Sequence, residues 1–314
     1  MRNRLITIFG GTGFIGRHLV RRLAERGARL RVIARNPNRG RHLQPMGSVG
    51  QIVVERADLR SEEGLGPALS GAGAVVNLIG ILHESGRATF EEVQGELPGR
   101  IARAAKAAGA TRMVQISAIG ADPASKSAYA RSKAKGEAQA RAAMPGATIL
   151  RPSIVIGPED SFFNRFASMA RFMPALPLIG GGKTRFQPVY VGDVAEAIVA
   201  ALTRDDAPGN TYELGGPKVY SFEELMRYML SVIDRKRMLL PLSFDLAALQ
   251  ARVLELLPEP PLTRDQLELL KVDNVVAEGA LTLADLGITP TPIELIVPDY
   301  LARYRARPRA LARL

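Results

Sequence analysis

Near the start of the chain an apolar run at residues 5–9 leads directly into Gly10-Gly11-Thr12-Gly13-Phe14-Ile15-Gly16, and this stretch leads into a segment of helical apolar spacing that stops at Gly27. The apolar run reads as a buried strand and the following segment, 14–26, as a helix with a glycine stop. Few folds need a glycine-rich turn between a first strand and a first helix. Glycines at positions 10, 13 and 16 suit a mononucleotide turn. The first allows the tight bend, the second lets the backbone approach a pyrophosphate, and the third lets the helix pack close to the sheet. The helix N-terminus then presents unpaired N–H groups and a positive partial charge to the phosphates. Gly10, Thr12, Gly13, Phe14, Ile15 and Gly16 are therefore the first candidate ligand contacts.

The rest of the first half repeats this alternation. Runs at 30–34, 51–55, 74–79, 112–117 and 147–151 read as strands, and 97–108 and 128–143 as helices. Continuous apolar strands alternating with helices imply a parallel sheet covered on both faces. The expected fold is α/β: a Rossmann-type, doubly wound parallel sheet over residues 1–152. A smaller, mostly helical lobe over 153–314 is expected to interleave with that sheet. Helices are expected at 194–202, 222–233, 246–257 and 264–270, and Pro- and Gly-rich loops at 174–182, 208–217 and 258–261. A chain of 314 residues that is 46% hydrophobic can bury a core of this size. The absence of cysteine excludes a disulfide framework, a thiolate metal site and a Cys nucleophile. The three histidines, His18, His42 and His83, have no zinc-ligand spacing, so no metal is expected.

The end of the second strand selects the nucleotide. An NAD site commonly carries an acidic residue there to bond the ribose 2′-hydroxyl. This chain has Ala34-Arg35-Asn36-Pro37 instead. Arg35 can place a planar fork on a 2′-phosphate, with Arg39 and Arg41 nearby. NADP(H) is expected over NAD(H), with NAD(H) still admissible. Asp58 and Leu59 follow the third strand, where an Asp can meet the adenine amino group. Leu78, Ile79 and Gly80 follow the fourth, where backbone passes the adenine ribose.

Tyr129-Ala130-Arg131-Ser132-Lys133 puts a phenol and an ammonium on one helix face at i, i+4 spacing. A nearby ammonium stabilises a tyrosinate, so Tyr129 is a candidate acid/base and Lys133 a candidate ribose anchor.

Carried by these residues, the chain resembles the extended and atypical short-chain dehydrogenase/reductase superfamily. The third catalytic hydroxyl expected from that resemblance falls near Ser117. Related extended enzymes place it about two residues further on, where Ile119 stands, so Ser117 leaves the triad open. Pro152 and Ile154 fall where extended members touch the nicotinamide carboxamide. Further motifs narrow the likeness: residues 42–47, 77–80, 151–160, 162–167, 187–194 and Leu262-Thr263-Arg264-Asp265-Gln266. Together they resemble the family of the NAD(P)H-binding accessory subunit of respiratory complex I (alpha-subcomplex subunit nine) and its bacterial relatives, over residues 4–300. The resemblance implies NADPH that is held rather than turned over, and a role in assembly or stability of NADH:ubiquinone oxidoreductase near the membrane. An NADP-dependent reductase, dehydrogenase or epimerase using Tyr129 is the alternative, and a redox sensor reporting cofactor state a third.

The formal net charge of +11 is concentrated in residues 17–41 and in the tail Arg303, Arg305, Arg307, Arg309 and Arg313. The first cluster suits nucleotide phosphates. The tail suits an acidic partner or an anionic membrane surface. The apolar positions Leu246, Leu249, Val253, Leu256 and Leu257 read either as a core helix of the small lobe or as a docking face. Complex I subunits and a membrane surface are thus the expected partners, through the C-terminal lobe and the Arg-rich tail. No basic, aromatic-rich pattern points to nucleic acid. Apolar stretches fall short of the roughly 20 residues a span needs. A first strand starting near Arg4 leaves no room for a targeting peptide. The expected location is the cytoplasm, or the inner face of the bacterial cytoplasmic membrane as a peripheral protein.

Overall fold

The computed structural model describes residues 3–257 and 260–305. The chain begins β1 (Leu5–Phe9), α1 (Phe14–Glu25), β2 (Arg29–Ile33), β3 (Ile52–Glu55), α2 (Glu62–Leu69) and β4 (Ala74–Asn77). It continues α3 (Leu97–Ala107), β5 (Arg112–Ile116), α4 (Ala128–Ala143), β6 (Thr148–Pro152), β7 (Val155–Ile156), α5 (Phe163–Phe172) and β8 (Ala175–Ile179). Next come β9 (Arg185–Phe186), β10 (Val189–Tyr190), α6 (Val191–Thr203), β11 (Thr211–Leu214), β12 (Tyr220–Ser221), α7 (Phe222–Val232) and β13 (Met238–Leu242). The helices α8 (Phe244–Leu254), α9 (Arg264–Leu270) and α10 (Ile293–Leu301) close the described chain.

Seven strands form one sheet in the order β11-β6-β5-β4-β1-β2-β3, and all its pairings are parallel. This is the doubly wound arrangement expected from the alternation of strand and helix. Strand order reverses at β1, which lies between β4 and β2, and a crevice opens beyond the strand C-termini at such a switch point.

Both faces of the sheet are buried. On one, Leu19, Val20 and Leu23 of α1 pack with Val194, Ile198 and Leu202 of α6. On the other, Leu65 and Leu69 of α2 meet Ile101 and Ala105 of α3 and Ala140 of α4. A separate core built from Phe163, Leu225, Met229, Ile293 and Val297 holds α5, α7 and α10 of the smaller lobe together. The two parts of the chain interleave, because α6 and β11 return to the seven-stranded sheet.

Several elements depart from the sequence expectation. The stretch 174–182 contains β8, which pairs with β13 in its own two-stranded sheet. Pro177 is tolerated there because, among the described residues, neither strand has a second neighbour to which its missing N–H would be owed. The stretch 208–217 contains β11, a short strand bounded by Gly209 and Gly215. Helix α2 is present despite two glycines and a proline, because Ser61 accepts a hydrogen bond from the Gly64 amide at 3.1 Å.

The largest correction concerns residues 246–257. As a core helix this stretch should bury its leucine stripe, yet α8 buries only Ala247 and Ala251. Leu246, Leu249, Val253, Leu256 and Leu257 are all exposed, Leu256 to 84%. In the tail, the Arg303 side chain donates to the Pro158 carbonyl and to Asn164 Oδ1, and Arg305 to the Val232 carbonyl. Arg307, Arg309 and Arg313 lie outside the described residues.

Candidate dinucleotide site

The glycine turn is built by backbone alone. Gly10 has φ +77°, a left-handed conformation that glycine adopts at little cost. Its carbonyl accepts the Gly13 amide at 3.0 Å, which closes the turn. A Cβ on Gly16 would sit 2.5 Å from the Gly11 backbone, so only glycine lets α1 start this close. Helix α1 begins after Gly13 with no side-chain cap and no acidic residue in its first turn. Its first N–H groups, with Thr12, Phe14 and Ile15 around them, are therefore left for a ligand.

Beside this turn lies a cleft of about 740 Å³ lined by Thr12, Arg17, Arg35, Asn36, Arg39 and His42. Arg35 stands just past β2. Asn36 accepts the Asn38 amide at 3.0 Å and so starts a 3-10 segment, Pro37–Met46, that carries Arg39 and His42 to the cleft. Arg22, Arg31 and Arg60 are paired with Glu196, Glu55 and Asp58. Among the described residues Arg35 and Arg39 have no such carboxylate. Arg17 reaches Glu159 at 3.4 Å through one terminal nitrogen, while its buried Nε has no hydrogen-bond partner. The guanidinium groups of Arg35 and Arg39, beside the unpartnered Nε of Arg17, fit an anion. Asp58 is engaged by Arg60 at 2.9 Å, and that hydrogen bond holds its carboxyl below the usual range. The neighbouring Leu59 carbonyl accepts from Arg100 at 2.7 Å.

The loop after β4 passes close over the turn. Its Leu78 amide donates to the Phe9 carbonyl at 2.9 Å, and Ile79 to Asn77 Oδ1 at 3.1 Å. A Cβ on Gly80 would lie 3.3 Å from Lys133 Nζ. Residues 78–80 and Lys133 are thereby brought to one place.

Lys133 is only 6% exposed, and its Nζ lies 5.6 Å from the centre of the Tyr129 ring. Burial pushes the ammonium down to about 8, with Glu137 opposing the shift. Burial and then the charge of Asp265 push the Tyr129 phenol up to about 12. Ser117 is buried and its Oγ has no hydrogen-bond partner. Ile119, where related extended enzymes carry a hydroxyl, is 7% exposed, and its amide donates to the Pro152 carbonyl at 3.1 Å. The ends of β5 and β6 therefore meet beside Ser117. Ile154 continues from there, its carbonyl accepting the Val189 amide at 2.9 Å. The unpartnered Ser117 Oγ, the unpartnered Arg17 Nε and the uncapped start of α1 are donors and acceptors of the kind a dinucleotide would use.

Three residues of this region were not singled out as site residues from sequence. In the sequence Arg17 is only one charge in a basic cluster. Gln94 is 2% exposed within a π-helical turn, Glu91–Glu96. It accepts the Ile81 amide and donates to Ser132 Oγ, both at 3.1 Å, joining the loop after β4 to α4. Asp265, from α9, accepts the Ala128 amide at 2.6 Å and the Ser127 hydroxyl at 2.8 Å. The Thr263-x-x-Gln266 pattern signals a capped helix start, but nothing local says what Asp265 would touch.

Comparison with known proteins agrees with this geometry. The chain matches the NAD dependent epimerase/dehydratase family over residues 6–215. It is 38% identical to an Arabidopsis thaliana protein, NADH dehydrogenase [ubiquinone] 1 alpha subcomplex subunit 9, mitochondrial, over 95% of this chain and 77% of that one. It is 33% identical to a ceramide reductase of Caulobacter vibrioides over 76% and 73% of the two chains. A crystal structure of an NADPH-dependent quinone oxidoreductase from Escherichia coli, complexed with NADPH, superposes with a TM-score of 0.75 at 20% identity, covering 95% of this chain and 99% of that one.

Proposed function

The chain belongs to the NAD dependent epimerase/dehydratase family and is kin to the alpha-subcomplex subunit 9 proteins of NADH dehydrogenase, and from that premise we propose that it holds NADP(H) as a tightly bound, structural cofactor in a complex I-associated protein. The observation that carries the nucleotide choice is the cleft wall. Arg35, Arg39 and Arg17 line one cleft, and among the described residues no acidic side chain lines it. A 2′-phosphate would satisfy those donors, whereas a bare ribose hydroxyl would leave them unused.

The pyrophosphate would lie on the amides of residues 12–16 and the adenosine along 58–59 and 78–80. The nicotinamide half would approach Ser117, Tyr129, Lys133, Pro152 and Ile154. Nicotinamide supplies hydride chemistry when bound. One feature supports a held cofactor over a turned-over one: Ile119 stands where the resemblance expects a hydroxyl.

Arg35→Asp tests the nucleotide choice. It removes the phosphate fork and supplies an acceptor for a 2′-hydroxyl. The expected result is a preference for NADH in place of NADPH; unchanged relative affinities would overturn the assignment.

A second reading, an NADP-dependent reductase or epimerase, is favoured by the paired Tyr129 and Lys133 and by the likeness to a ceramide reductase. There Tyr129 is the acid/base and Lys133 the ribose anchor, and Tyr129→Phe abolishes turnover with nucleotide binding kept.

The exposed leucine stripe of α8 supports a docking role for the C-terminal lobe. It would seat on complex I subunits at the membrane surface, with the charge of the arginine tail as a second attraction. Among the described residues no helix is long and apolar enough to cross a membrane. Attachment would then be peripheral, on the inner face of a bacterial cytoplasmic membrane.

A further inference from the structure

The Leu262–Gln266 motif is left unexplained by a dinucleotide site alone, yet it reaches that site from the far end of the chain. Thr263 and Gln266 cap each other at the start of α9, each amide donating to the other's side chain at 3.2 Å. This fixes the first turn rigidly. Asp265 then accepts three donors from the start of α4: the Ala128 amide at 2.6 Å, the Ser127 hydroxyl at 2.8 Å and the Tyr129 amide at 3.3 Å. Gln266 reaches the opposite side, its Nε2 donating to the Leu82 carbonyl at 3.2 Å. Leu82 belongs to the same loop after β4 as Gly80, which lies against Lys133. One turn of α9 thus touches both the helix that carries Tyr129 and Lys133 and the loop that faces them.

Helix α9 is itself fastened to α8. Leu267 packs with Ala247 and Ala251, and Glu255 accepts from the Arg264 amide and Nε at 2.8 and 2.9 Å. We infer that Asp265 and Gln266 form a latch, by which the α8–α9 hairpin positions the start of α4 against the loop after β4 and so shapes the nicotinamide end of the cleft. Asp265 is a positioning residue, acting through the α4 backbone rather than on the ligand. The inference rests on the nucleotide reading above. It adds that the lobe bearing the exposed apolar face of α8 is mechanically part of the cofactor site.

The test uses two ligands on the full chain. NADPH spans both ends of the cleft, whereas 2′,5′-ADP fills only the adenosine end. Asp265→Ala leaves three donors without an acceptor, so NADPH should bind about tenfold more weakly. Binding of 2′,5′-ADP should stay within about twofold. Asp265→Asn, which keeps one acceptor oxygen, should recover most of the loss. Hydrogen exchange at the Ala128 and Tyr129 amides should speed up in Asp265→Ala. Should that variant not fold, Gln266→Ala keeps Asp265 but frees the Leu82 carbonyl and the Thr263 amide, and should show a smaller loss with the same ligand selectivity. Equal loss of both ligands, or loss of neither, overturns the latch and leaves the nucleotide reading standing. A wild-type chain that binds neither ligand overturns both.

Discussion

Lys133 holds an ammonium where water scarcely reaches, and its chemistry sets a sharp expectation. Its folded value of about 8 lies below the ordinary 10.5. Desolvation of the cation therefore weighs against the fold at neutral pH, and the burden is relieved as pH rises from about 8 to 10.5. In the nucleotide-free chain, Lys133→Met should raise the unfolding free energy by about 1–3 kcal/mol near neutral pH. The gain should shrink through that pH window, and NADPH binding should weaken in the same variant. A variant less stable than wild type would show that Lys133 has a partner worth more than its desolvation. Tyr129 works the other way. Its phenol, pushed up to about 12, is protonated at neutral pH in both the folded and unfolded chain, so it leaves neutral stability unaffected. It can give a proton there but not take one. Any alcohol-oxidising turnover should therefore climb with pH without levelling off below about 10; a plateau near neutral would show that bound ligand lowers the phenol.

At the scale of elements, α8 is where sequence and structure part. Periodicity found the helix, but periodicity cannot tell which of two faces is buried. The answer lay in the small residues: Ala247 and Ala251 let α8 lie close to Leu267, and the leucines turn outward. Leu249→Glu with Val253→Glu should change the unfolding free energy by less than about 0.5 kcal/mol per site, because both side chains are already wet. The same pair should abolish cosedimentation with membranes containing complex I, and retained cosedimentation would remove α8 as the docking face. Other elements escaped for similar reasons. Helix α2 hides behind its glycines and proline, and β8 and β11 behind theirs, because local punctuation is outweighed by a Ser61 cap and by strand partners distant in sequence. The strands β1, β2, β4, β5 and β6 and the helices α1 and α3 were legible because each buries a run or a periodic set of apolar residues, whereas β3 exposes Val53 and α4 buries Ser132, Lys133 and Glu137 among its alanines.

Across the whole molecule, the glycine turn could be read because its chemistry is local: strand, turn and helix are contiguous. Arg35 was legible for the same reason, standing at the end of β2. Arg17, Gln94 and Asp265 were not, since their importance depends on what folding sets against them. The Asp265 contact to Ala128 spans 137 positions. The sheet, the small lobe and the α8–α9 hairpin therefore act on one cleft, and its nucleotide content is the quantity on which the account turns. The direct measurement is to denature the purified chain, identify the nucleotide released, and ask whether the intact chain exchanges or oxidises it. Stoichiometric NADPH that survives dialysis and is untouched by quinones or carbonyl compounds is the expected result. NAD(H), or an empty chain that does not take up NADPH, would contradict it.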